Sequence, residues 1–188
     1  MLIFRTIFLI ALVATWWLTA CIQANRTISR PSIIPNKDWQ LVEQAPYVYG
    51  GVAKGDHLIG HGLKIEIEAL NASRIPQLVI RMEFFVVDEN LIKFTPSITT
   101  VELSSGQNVQ ATGQKCRAAL LENPGYRKSL QPVREVVFSE KYNCIDLYFE
   151  VPPPSVDDVF KMRIGGVSVR GKDIKFPEIT FRKGIARW

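Results

Sequence analysis

"LKIEIEA", residues 63–69, sets Leu63, Ile65, Ile67 and Ala69 against Lys64, Glu66 and Glu68. Alternation with period two describes a strand with one buried and one wetted face, because successive strand side chains point to opposite sides. The next apolar run, "LVIRMEFFVVD" (78–88), is longer and carries only Arg81 and Glu83 inside it. A strand apolar on both sides belongs in the middle of a sheet, covered on more than one face. "SITTVEL" (97–103), "VREVVF" (133–138) and "IDLYFEV" (145–151) read as further strands. "KMRIGGVSVRG" (161–171) and "DIKFPEITFRK" (173–183) follow, joined near Gly171-Lys172-Asp173 as a hairpin. Many short strands without a long amphipathic helix predict an all-β fold, a single antiparallel β-sandwich of immunoglobulin-like or transthyretin-like kind.

Helix is scarce. "GQKCRAALLEN" (113–123) predicts two or three turns ended by Pro124-Gly125. "SVDDVF" (155–160) predicts a single turn with Ser155 at its start and Asp158 three residues on. "VPPP" (151–154) cannot lie within a sheet and marks a crossing from one sheet to the other. The domain is expected over residues 39–188. Residues 21–38, with few core candidates and two prolines, read as a flexible tether spanning roughly 20 Å.

The glycine-rich "YGGVAKGDHLIGHG" (49–62) holds both histidines of the chain. It is not a phosphate loop, which needs Gly-x-x-x-x-Gly-Lys-Ser/Thr opening a helix; here Gly55 is followed by Asp56-His57. It reads as a loop ahead of the first long strand. The alternative is a small-ligand or metal site built on Asp56, His57 and His61, although that spacing suits zinc only on a helix. Ser168 in "GVSVR" (166–170) does not sit in a Gly-x-Ser-x-Gly elbow and reads as a strand residue. Glu66 and Glu68 read as the polar face of a sheet, and Asp157-Asp158 as the acidic first turn of a short helix. No nucleophile–base pair is legible, so no enzyme and no cofactor are expected.

Charge is unevenly placed. Residues 161–188 carry eight cations, Lys161, Arg163, Arg170, Lys172, Lys175, Arg182, Lys183 and Arg187, against Asp173 and Glu178. Residues 21–160 hold slightly more carboxylates than cations. Alternation puts Arg170 and Lys175 apart from the core candidates Val169, Ile174 and Phe176, with a bulge at Pro177 and Arg182 continuing the outer face. The final hairpin, with Arg170, Lys172, Lys175 and Arg182, is therefore the expected binding face for something acidic, either a protein or anionic headgroups. A second basic group, Lys115, Arg117, Arg127 and Lys128, surrounds Cys116.

The chain opens with Arg5, an apolar run from Thr6 to Leu18, and small residues before Cys21. This run falls short of the roughly twenty residues that cross a bilayer and has the layout of a secretory signal. Leu18-Thr19-Ala20-Cys21 resembles the bacterial lipobox. The resemblance covers residues 1–21 alone. It implies a signal peptide over 1–20, cleavage before Cys21 and acyl chains on that cysteine, more than one chain being needed for a stable anchor. Ile22, where an aspartate would favour the inner membrane, implies the outer membrane, with the domain facing the periplasm. Nucleic acid is not expected as a partner in that compartment. Removing Cys21 leaves Cys116 and Cys144, a pair expected to form a disulfide in an oxidising space.

Overall fold

The alternating stretch at 63–69 pairs antiparallel with the longer apolar run: Leu63 lies opposite Val86, Ile65 opposite Phe84 and Ile67 opposite Met82. These strands are β6 (Leu63–Ala69) and β7 (Leu78–Val86) in a computed structural model that describes residues 26–42, 47–49, 52–54, 57–70, 76–87, 91–116, 133–138 and 141–186. Cys21, Asp56, Arg117, Arg127, Lys128 and Trp188 lie outside the described residues. The other strands in chain order are β1 (Arg26–Ile33), β2 (Gln40–Val42), β3 (Tyr47–Tyr49), β4 (Val52–Lys54) and β5 (His57–Gly60) before them. After them come β8 (Ile92–Phe94), β9 (Thr100–Glu102), β10 (Asn108–Lys115), β11 (Val136–Phe138) and β12 (Tyr142–Phe149). β13 (Phe160–Arg163), β14 (Val167–Val169), β15 (Lys172–Asp173) and β16 (Ile179–Ala186) complete the set.

The fold is all-β. Ten strands join in the order β1-β16-β13-β9-β10-β12-β7-β6-β5-β2, a second sheet runs β11-β8-β14-β15, and β3 pairs with β4. The large sheet folds over at β10, whose first residues pair with β9 while Ala111–Lys115 pair with β12. The small sheet covers the inner side of β7. There Phe84 meets Phe94 of β8 at 5.6 Å and Phe138 of β11 at 4.7 Å between ring centroids. On the adjacent strands β13 and β16, the cross-strand partners Phe160 and Phe181 stack at 4.7 Å. Each fully buried phenylalanine or leucine contributes about 1.5–3 kcal/mol through removal from water.

Pro96 opens a single 3-10 turn, Pro96–Ile98, the one helical element among the described residues. Its ring lies where a Cβ on Gly113 would stand, so β10 must be glycine there. The helix expected from 113 onward is corrected in its first residues, since Gly113–Lys115 belong to β10 and 117–123 lie outside the described residues. Ser155–Asp158 is a turn in which Asp158 N–H donates to Ser155 O and Ser155 N–H donates to Asp158 Oδ2. The proline run after β12 does not cross between two sheets: β12 and β13 belong to the same ten-stranded sheet, and the run carries the chain from its β7–β12 part to its β9–β13–β16 part.

Two readings of the N-terminal third are corrected. Residues 26–33, within the expected tether, form β1 along β16, with Ile28 and Ile33 buried. Pro31 is tolerated because β1 is an edge strand, paired on one side alone. The glycine-rich stretch at 49–62, expected as a loop, contains β4 and β5; β5 continues through His61 and Gly62, both at positive φ, into β6. Such a two-residue turn matches the twist of a tight hairpin.

Candidate functional site

The C-terminal cations separate into two groups. Arg163 is held by Glu102 at 2.8 Å and Glu178 at 3.0 Å, Lys161 by Glu178 at 3.1 Å, and Lys183 by Asp157 at 2.7 Å. The hydrogen bond from Lys161, opposed by some burial and reinforced by Arg163, holds the Glu178 carboxyl below the usual glutamate value. Hydrogen bonding to Glu178, with the charges of Glu102 and Glu178, raises the Arg163 guanidinium. Arg170, Lys172, Lys175 and Arg182 are exposed and make no ion pair with any described residue.

The chain geometry explains where these four stand. The expected hairpin exists but is short: Val169 pairs with Lys172 across a turn of Arg170 (φ 51°) and Gly171 (φ 75°). It belongs to the small sheet, and Arg170 N–H donates to Leu91 O at 2.8 Å. The run from 161 to 171 is not one strand. Ile164-Gly165-Gly166 breaks it, with Gly165 and Gly166 passing so close to Thr95–Ile98 that a Cβ on either would collide. The chain thereby leaves the large sheet at β13 and enters the small one at β14, then returns at β16.

Lys175 is positioned by Trp39. The buried indole donates its Nε1–H to Lys175 O at 2.8 Å, stacks on Phe176 at 4.5 Å and meets the His61 ring edge-on at 5.3 Å. Gly60 admits the indole: a Cβ there would lie 2.9 Å from Trp39 Cε3. Arg170, Lys172 and Lys175 thus share one region at the end of the small sheet. Arg182 stands apart, in β16 directly opposite Arg30 of β1. These two arginines line a cleft of about 470 Å³ with Ser32, Ile33 and Leu41. Leu41 lies in β2, so the two edge strands of the large sheet approach each other across this cleft, and the sheet curls around its core. Arg30 fell in the expected tether, and nothing in its neighbourhood signals its pairing with Arg182.

The histidines do not converge. His57 is buried in β5 opposite Glu66 and His61 is exposed at the following turn. Four residues along a strand separate their Cα atoms by about 13 Å. Asp56 lies outside the described residues. Cys116 and Cys144 stand at disulfide distance, with Cα atoms 5.2 Å apart, and Cys116 N–H donates to Cys144 O at 3.0 Å. Together with Asp146 they are the one close group of potential metal donors among the described residues, and pairing of the cysteines occupies their sulfurs. Ser168 is a half-buried strand residue opposite Lys93 and Asp173, with no histidine across from it.

One polar group is absent from the sequence reading. Glu68, Arg81 and Asp146 lie abreast on β6, β7 and β12, on the side of the sheet away from the core, yet Glu68, Glu83 and Asp146 are buried. β4 lies against β6, so this is not the wetted face that alternation implied. Burial acts to lower the Arg81 pKa, but the hydrogen bonds and charge of Asp146, with Glu83 and Glu68, outweigh it and hold the guanidinium above its usual value. No protein-family model matches the chain, and neither a curated protein nor a solved structure matches it.

Proposed function

We propose that the chain is a lipid-anchored bacterial envelope protein, acylated at Cys21 and held at the outer membrane, whose β domain is a non-catalytic interaction or assembly module. The basic end of the small sheet, with Arg170, Lys172 and Lys175, receives an acidic envelope partner, and Arg182, the fourth cation expected there, stands apart on β16. The observation that carries this reading is the division of the C-terminal cations. Carboxylates hold Lys161, Arg163 and Lys183, whereas these four have no such partner among the described residues. Unpaired surface cations raise the association rate with an acidic surface and select against basic ones.

The test is a crosslinked capture from the native envelope, read by mass spectrometry, with Cys21→Ser as the anchoring control. Arg170→Glu with Lys172→Glu is expected to lose a partner that the unaltered protein retains, while melting at the same temperature. Capture unchanged in that folded variant overturns the proposal.

A further inference from the structure

We propose that the basic end of the small sheet docks an acidic protein segment that also carries apolar side chains, and that these seat on Val87 and Leu91. This rests on the reading above, in which that end receives an acidic partner, and adds the apolar half of the contact. Val87 directly follows β7 and Leu91 directly precedes β8, and their side chains are 68% and 55% exposed. Four residue steps separate them, a reach of at most roughly 14 Å.

Backbone hydrogen bonds tie both residues to the elements that bear the cations. Arg170 N–H donates to Leu91 O at 2.8 Å, so the basic turn and the exposed leucine are fixed to each other. Lys172 follows two residues on. Val87 N–H donates to Gly62 O at 2.9 Å, in the turn whose exposed His61 lies edge-on to Trp39. That indole in turn donates to Lys175 O. The apolar pair is thus built into the same end as Arg170, Lys172 and Lys175.

Charge names the occupant. These three cations are exposed and make no ion pair among the described residues. Asp173 lies opposite Ser168, itself opposite Lys93, and strand alternation turns it to the other side of the hairpin from Lys172. Asp38, ahead of Trp39, has the exposed Lys37 as its neighbour, so the balance here stays positive. Acidic side chains meet the cations, and a basic segment is repelled. Docking on a lipid surface draws on exposed aromatic rings at headgroup level. The rings beside these cations, Trp39 and Phe176, are instead buried and half-buried against each other. The exposed Val87 and Leu91 are aliphatic, which suits the apolar side chains of a protein segment.

The full-length protein, held in phosphatidylcholine nanodiscs, is titrated against two short fluorescein-labelled peptides and followed by anisotropy. One peptide alternates Asp with Leu, the other Asp with Ser. The Asp/Leu peptide is expected to bind about tenfold tighter, the order given by one leucine side chain leaving water. Val87→Ser with Leu91→Ser brings its affinity down to that of the Asp/Ser peptide at an unchanged melting temperature. Arg170→Glu with Lys172→Glu weakens both. Equal affinities, or an unaltered Asp/Leu affinity in the folded Val87→Ser/Leu91→Ser protein, overturn the apolar contact and leave the basic end standing. Affinities indifferent to the charge reversal, or binding of neither peptide, overturn the contact and the basic end together. Capture of the nanodiscs by phosphatidylglycerol vesicles but not phosphatidylcholine ones, lost in the Val87→Ser/Leu91→Ser protein, assigns the patch to a lipid surface and also overturns the protein segment.

Discussion

Arg81 and Asp146 face each other across β7 and β12 through two hydrogen bonds, Nε to Oδ1 at 2.8 Å and Nη2 to Oδ2 at 3.0 Å, and the carboxylate is wholly buried. Cys116 Sγ lies 3.3 Å from the same Oδ1. The pair therefore joins β7 to β12 on the covered side of the sheet, with the residue that follows β10 set against it. Removing one partner leaves a buried charge without its counterpart, a loss of about 3–5 kcal/mol. Arg81→Met is expected to destabilise by that amount in urea unfolding. The double variant Arg81→Met/Asp146→Leu is expected to recover a large part of it, since neither charge remains.

Trp39 joins the segment before β2 to the connector that carries Lys175. Trp39→Phe keeps a ring against Phe176 and loses only the bond to Lys175 O, a change of about 1 kcal/mol. Trp39→Ala empties a buried site and is expected to cost about 3–5 kcal/mol. Thermal melting separates the two. A Trp39→Ala protein as stable as Trp39→Phe would show that the indole does not hold the connector.

Gly113 is the site where β10 passes beneath Pro96. A methyl there meets the proline ring, and neither the sheet pairing with Leu147 nor the turn at Pro96–Ile98 gives way easily. Gly113→Ala is expected to destabilise by about 1–3 kcal/mol, the usual penalty of overpacking. Gly106→Ala meets no atom within 4 Å but holds φ at +82°, so its smaller effect comes from backbone strain alone. Paired unfolding curves of the two variants distinguish collision from strain.

These positions also show what was legible in the sequence. β6 was readable because Leu63, Ile65 and Ile67 alternate with charges, and β7 because its apolar run is too long for anything but a central strand. β10 was not, because its inward residues are Ala111 and Gly113, the latter kept small by Pro96, and small residues carry no period. β1 was masked by Pro31, which an edge strand accepts and a sequence pattern reads as a break. The four exposed cations were visible as charge, but which cations are neutralised depends on Glu102, Asp157 and Glu178, and Glu102 reaches Arg163 from another strand. Arg30 met Arg182 only through the β1–β16 register.

Glu178 gives the fold a small acid-sensitive component. Its folded-state pKa is depressed by Lys161 and Arg163, so its contribution is present above the ordinary glutamate value, about 4.3, and fades as pH falls below it. Glu178 is exposed and screened, which keeps the contribution within about 1 kcal/mol. Glu178→Gln is therefore expected to be less stable than the unaltered protein at neutral pH and to match it near pH 3. A difference that grows on acidification would reverse the sign of this assignment.

The pairing of Cys116 with Cys144 carries the last prediction. The two cysteines close a segment of sequence separation 28 that includes the undescribed residues 117–132, and the pair sits at the end of β10 where β12 begins. Chain-entropy arguments value closure of such a loop at roughly 3.5 kcal/mol through restriction of the unfolded chain. Because Asp146 Oδ1 lies against Cys116 Sγ, reduction leaves a thiol beside the Arg81-bound carboxylate rather than exposing that carboxylate to water. Reduction and the double variant Cys116→Ala/Cys144→Ala are thus expected to lower stability by similar amounts, with β7 and β12 still paired. Hydrogen exchange checks this directly. Protection of the Arg81 and Asp146 amides should persist after reduction, and its collapse at constant global stability would mean that the disulfide, not the ion pair, holds β12 to β7.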